Sequence, residues 1–114
     1  MGIPYTTNVK VIDAAGANKT SDAYDISKRQ LVTVQFIAAG GTSVFSIDGS
    51  NDGTNWVTGI GFVDAATAGV PTAVLSKSVA STTALAYVPA GFSFIRVVAA
   101  WASGTASAIL QAGG

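Results

Sequence analysis

This sequence predicts an all-β fold, an antiparallel β-sandwich of about eight strands and of jelly-roll type. Three observations point there. Apolar and polar residues alternate with period two over several runs, the mark of a strand with one buried face. Turn residues punctuate those runs at the short, regular spacing of sandwiches and barrels. No stretch repeats an i, i+3, i+4 apolar pattern with helix caps, and β-branched residues and glycines surround the alanine-rich stretches near Ala65 and Ala84.

Met1 to Thr7 read as an arm, because Pro4 disfavours early regular structure and nothing amphipathic organises the segment. Residues 8–114 read as one sandwich domain, since 114 residues suffice for one ordinary domain and are too few for two. Asn8 to Asp13 is the first strand, with Val9 and Val11 on one face. Ala14 to Asp22, small and polar, reads as a loop. Ala23 to Ser27 reads as a short strand, and Lys28 and Arg29 as a solvated basic turn. Gln30 to Ala38 carries the clearest pattern: Val32, Val34 and Phe36 form a wholly apolar row, and Ala39-Gly40-Gly41 ends it.

Ser43 to Phe62 reads as a hairpin. Phe45 and Ile47 share a face on the first arm, and Trp56, Thr58, Ile60 and Phe62 share one on the second. Between them Asp48, Gly49, Asn51, Asp52 and Gly53 supply turn chemistry. Val63 to Pro71 is a loop of small residues. Thr72 to Val79 reads as one strand with Ala73, Leu75, Lys77 and Val79 on one side, and Ala84 to Val88 as a short one. After the breaker Pro89-Ala90-Gly91, Phe92 to Trp101 is a long strand, with Ile95, Val97, Ala99 and Trp101 opposite Phe94, Arg96, Val98 and Ala100. Thr105 to Gln111 closes the chain, Ala106, Ala108 and Leu110 sharing a face.

Composition narrows the function. The chain has no cysteine and no histidine, so thiolate sites and the commonest general base and metal ligand are absent. Six basic and six acidic residues balance, which argues against nucleic acid as partner. Charged residues make up 11%, against roughly 25% in an average soluble domain. All six acids are aspartate; the hydrophobic share is 49% and mean hydropathy is +0.48. A lone neutral chain with so few ions would self-associate, so much of its surface is expected to be covered by other protein, in an oligomer or larger assembly. No run of about 18 apolar residues predicts a membrane span, and no basic region followed by an apolar core predicts a secretory signal.

Candidate chemistry is sparse. Asp48, Ser50, Asp52 and Gly53 imitate the start of an EF-hand loop, but Gly59 stands where its bidentate glutamate belongs. A looser oxygen cage from Asp48, Asp52 and Asn55 is the remaining calcium option, and a plain turn is the better reading. Trp56 and Trp101 could form an aromatic platform for sugars. The plainer reading puts both on inward faces among core residues. Arg96, mid-strand between Phe94 and Val98, is expected either to pair with an acid, Asp25 or Asp64, or to anchor an interface. Nucleophilic catalysis has no support, because no histidine exists to activate a serine and no Gly-x-Ser-x-Gly elbow is present. No catalytic, cofactor or metal residue is predicted.

The run Phe-Ser-Ile-Asp-Gly-Ser-Asn-Asp-Gly-Thr-Asn-Trp (45–56), with Phe-Ser-Phe-Ile-Arg-Val (92–97) and Ser-Gly-Thr-Ala-Ser-Ala-Ile-Leu-Gln-Ala (103–112), resembles small β-sandwich structural proteins of tailed bacteriophages. Similar turns occur in discoidin-like carbohydrate-binding sandwiches. The resemblance implies a capsid decoration, or cement, protein on the phage head, made in the host bacterial cytoplasm, that bridges subunits of the major capsid protein. The expectation is therefore a non-enzymatic virion protein without cofactor, acting as a homo-oligomer, with a trimer as first guess. Its candidate interface is Ile3, Pro4 and Tyr5 of the arm with Phe94, Arg96 and Val98. A carbohydrate-binding module of a tail or spike, using Trp56 and Trp101, and a head–tail or tail structural protein are the alternatives.

Overall fold

Strands form where the alternation is cleanest and break where it lapses. The computed structural model describes residues 7–27, 31–65, 72–89 and 91–113. Eleven strands lie among them: β1 (Thr7–Ala15), β2 (Lys19–Thr20), β3 (Tyr24–Asp25), β4 (Leu31–Ala39), β5 (Thr42–Ser50), β6 (Phe62–Asp64), β7 (Thr72–Val74), β8 (Lys77–Ala80), β9 (Thr83–Val88), β10 (Phe94–Trp101) and β11 (Thr105–Gly113). Pairing is antiparallel throughout. One sheet runs β1-β11-β4-β9-β6-β7; the other runs β2-β10-β5-β8, with β3 also on β10.

The pairs nest. β1 lies on β11, β2 and β3 on β10, β4 on β9, and β5 on β8. A long hairpin has thus been rolled until its middle strands also meet, β4 against β11 and β5 against β10. That is a jelly roll, as the sequence predicts. Two of the added strands are short pieces: the loop after β1 contains β2, and the expected strand at 72–79 is two.

That split has a physical cause. β7 extends the six-stranded sheet and β8 the five-stranded one, and the chain changes sheets at Leu75 and Ser76. One continuous strand cannot serve both layers. The expected hairpin is corrected in the same way. Gly49 and Val57 exchange two backbone hydrogen bonds, 3.0 and 2.8 Å, and the Ile60 N–H donates to the Ile47 carbonyl, 2.8 Å. The turn is real, but the returning arm is a single bridge beside β5. It then leaves for the other sheet, where β6 pairs with β7 and β9. In β1, two register shifts put Ile12 opposite Ala108 and Ala15 opposite Ala106, so the inward row is not a strict Val9–Val11 alternation. The arm residues 1–6 and the basic turn at 28–29 lie outside the described residues.

The core is built from facing rows. Val32, Val34, Phe36 and Ala38 of β4 meet Phe45 and Ile47 of β5, with Ile95, Val97 and Ala99 of β10 and Ala106, Ala108 and Leu110 of β11 beside them. Phe36 stacks on Phe45 across the two sheets, centroids 4.7 Å apart and planes 9° from parallel. Phe62 meets Phe36 edge-on at 5.7 Å. Phe36 is flanked in its own sheet by Ala108 and Ala84, and Phe45 by Ala99. Small neighbours make room for large rings, which explains part of the alanine content. The turn from β10 to β11 is equally tight: at Gly104, φ +71°, an added Cβ would run into the Ala39 carbonyl oxygen. Phe36→Ala should remove the ring that joins the layers and lower unfolding free energy by about 3–5 kcal/mol in urea titrations; a loss below about 1 kcal/mol would contradict this packing.

Candidate functional site

β5 and β10 each carry one ion among the residues of their strands, Asp48 and Arg96. The ladder sets them directly opposite each other. Both belong to the row pointing out of the sandwich, so they meet on the sheet surface. The Arg96 Nε–H donates to Asp48 Oδ2 at 2.9 Å, and the Gly59 N–H donates to Asp48 Oδ1 at 3.0 Å. The Trp56 ring lies over the guanidinium, 4.3 Å from its carbon to the ring centroid. Trp56, swung out by the turn, therefore covers the pair, and Asp48 is buried. The arginine serves two partners in one place, the Asp48 carboxylate and the π face of Trp56.

The turn holds its shape through Ser50 and Asp52. The Ser50 hydroxyl donates to the Asn55 carbonyl at 2.6 Å and accepts the Gly53 N–H at 2.9 Å. Asp52 Oδ1 accepts the N–H groups of Asn55 and Thr54 at 2.8 and 2.9 Å, and its Oδ2 accepts the Asn55 side-chain amide at 2.7 Å. The Asn55 backbone and side-chain donors, then Thr54 and Ser50, hold the Asp52 carboxyl well below its ordinary value of 3.8. These contacts also answer the calcium option. Asp48 faces Arg96 and Gly59 while Asp52 is wrapped by its own turn, so the cage Asp48–Asp52–Asn55 is not assembled. No group of three or more metal-ligating side chains occurs among the described residues.

The sequence candidates fall as follows. Phe94, Arg96 and Val98 do share the outward row of β10. Phe94 is half-buried near Gly53, Arg96 is taken up by Asp48 and Trp56, and Val98, half-buried as well, stands opposite Ser46 and Thr20. Ile3, Pro4 and Tyr5 lie outside the described residues. Arg96 pairs with neither expected acid. Asp25 accepts from the N–H and hydroxyl of Ser27, and Asp64 binds Lys77 at 2.8 Å, an ion pair that joins β6 of one sheet to β8 of the other. Asp48 was hidden as a partner because its Asp-Gly-Ser context reads as turn, whereas β5 runs on through Ser50. The usable signal was that each of two outward rows holds one lone ion, of opposite sign.

The two tryptophans do not form a platform. Trp56 sits over the outward row of β10 and is only half-buried, so it is not a core residue either. Trp101 belongs to the opposite row, with Ile95, Val97 and Ala99, at the strand's far end. Its indole N–H donates to the Gly104 carbonyl at 2.7 Å, and its backbone N–H donates to Asn18 Oδ1 at 2.9 Å. Trp101 thus fastens the β10–β11 turn and the loop before β2.

No protein-family model matches the chain, and no curated protein matches it. Solved structures do share its fold. The SPBc2 prophage-derived protein YomS superposes with a TM-score of 0.79 at 11% identity, over 100% of this chain and 97% of that one. The PBSX exported protein XepA superposes with a TM-score of 0.81 at 16% identity; the match covers 100% of this chain and 39% of XepA. The described chain thus spans well under half of XepA.

Asp48→Ala should strand Arg96 beneath Trp56 and leave the Gly59 N–H without its acceptor, lowering stability by about 1–3 kcal/mol in denaturant titrations. A change within error would remove the triad's structural role. Asp52 gives a pH signature. Its folded pKa is depressed, so its contribution is present above the unfolded value of 3.8 and is lost as pH falls below that value. Asp52→Asn should therefore flatten the fall in melting temperature between about pH 5 and about pH 2; an acid limb identical to wild type would contradict the assignment.

Proposed function

We propose that this chain is a non-enzymatic structural protein of a phage particle, and specifically a capsid decoration protein. It acts as a homo-oligomer on the outer surface of the head and clips neighbouring major capsid subunits together. The observation that carries the reading is the end-to-end correspondence of its fold with a prophage-derived protein of nearly the same length. The turn at 45–56 and the strands at 92–97 and 103–112, which resemble phage sandwich proteins, support it independently. So does the shortage of ions.

The mechanism is burial without chemistry. A rigid sandwich presents surfaces of small, uncharged side chains, and closing a seam between subunits with such surfaces desolvates few ions. Six of the twelve ions pair within the subunit: Arg96 with Asp48, Lys77 with Asp64 and, at the surface, Lys10 with Asp13. The five-stranded sheet offers its outward row, with Val44, Ser46 and Val98, as the side for the capsid. The Trp56–Arg96–Asp48 triad keeps that row's neighbouring loop in place.

The test is binding to expanded heads. Purified protein mixed with expanded capsids of its phage should co-sediment and appear as added density over the capsid lattice in cryo-microscopy. Heads that stay bare would overturn the decoration reading, and density confined to tails or to the head–tail junction would replace it with a tail role.

A further inference from the structure

The outward face of the six-stranded sheet has a composition unlike an ordinary protein surface. One cross-strand row runs Asn8–Gln111–Thr33–Tyr87–Val63–Ala73 and touches all six strands. The next runs Lys10–Ile109–Gln35–Leu85. Lys10 is the one charged side chain in these rows, and it stands on the edge strand, 3.4 Å from Asp13. Large apolar groups are nonetheless in water: Leu31 is 61% exposed, Tyr87 44% and Leu85 37%. Two shallow grooves, about 580 and about 410 Å³, share Gln35 and Leu85, so the face has relief.

We infer that this face is covered by a second copy of the same chain. The inference rests on the oligomer reading above and assigns it a surface. Area is the first argument. Six strands at about 4.8 Å spacing make a patch about 24 Å wide, and the nine residues of β11 run about 26 Å. The product, roughly 600 Å², is close to the roughly 800 Å² per partner of a standard stable interface. Charge is the second. A face almost without ions meets a copy of this chain without like-charge repulsion and without stranding an ion. A strongly charged partner would have to desolvate groups that Thr33, Gln35, Gln111 and Tyr87 cannot neutralise. The amides and hydroxyls donate and accept alike, so the same residues serve on either side of the contact. The opposite sandwich face is a poorer candidate, because its centre holds the Arg96–Asp48 pair with a loop folded over it.

Sedimentation velocity over a dilution series tests the assignment with three proteins: wild type, Gln35→Lys in the centre of the face, and Ser46→Lys on the opposite face. Leu85→Lys serves as a second probe of the same centre, and a thermal melt of each variant reports folding. Wild type should sediment as a multiple of the 11.4 kDa chain. Gln35→Lys and Leu85→Lys should dissociate at concentrations at least about tenfold higher than wild type, like charges now facing each other. Ser46→Lys should assemble as wild type does. An oligomer that Gln35→Lys and Leu85→Lys leave intact, or that Ser46→Lys alone dissociates, overturns the face and leaves the oligomer standing. A wild type that stays at 11.4 kDa at every concentration overturns both.

Discussion

The contact between Phe36 and Phe45 is what makes two sheets into one sandwich. Stacked rings close the gap between layers that lie about 10 Å apart, and Phe62 locks the pair from the side. Everything else in the core is scaled to them. Ala84 and Ala108 flank Phe36, and Ala99 flanks Phe45. Bulkier residues there would hold the strands' inner faces apart and lose the stack. The alternation along β4, β5, β10 and β11 exists to bring these rings and their small neighbours to one side. The outer rows are thereby released from packing duty and form the surface.

That surface is unusual because of where the ions went. Asp48 and Arg96 bind the turn to the five-stranded sheet. Asp64 and Lys77 tie β6 of one sheet to the edge strand β8 of the other. Each pair does structural work inside one chain and leaves less charge outside. The six-stranded sheet consequently shows water a face of amides, hydroxyls and aliphatic groups. Such a face is tolerable on a protein that spends its life against other protein, and hazardous on one that does not. The structural role proposed above fits that constraint. The prophage-derived sandwiches share the fold at low sequence identity.

Much of this was legible in the sequence, and the failures have physical reasons. β4, β10 and β11 each bury one complete row, so their period-two pattern read through directly: Val32, Val34 and Phe36, then Ile95, Val97 and Ala99, then Ala106, Ala108 and Leu110. The nested pairing was reachable as a class because eight alternating runs with short turns leave few closed arrangements. Layer changes were not legible. The pattern of Trp56, Thr58, Ile60 and Phe62 does not say that Ile60 and Phe62 turn inward while Trp56 stays outside over Arg96. The alternation of residues 72–79 likewise conceals a step from one sheet to the other. Side-chain partners across sequence distance were the other blind spot. Arg96 and Asp48 are 48 residues apart, and only the register of β5 on β10 makes them neighbours. Trp101, a plausible platform by residue type, turned out to fasten a turn, because Gly104 brings its own carbonyl to the indole.

The proposed oligomer hides the six-stranded face in the working protein. Because the chain has no cysteine of its own, one introduced thiol is a unique reporter of exposure. The direct measurement is the rate of thiol labelling for Thr33→Cys and Ser46→Cys, each in dilute and in concentrated solution. Thr33→Cys should label markedly more slowly when concentrated, while Ser46→Cys should keep its rate. Equal rates for Thr33→Cys at both concentrations would contradict it.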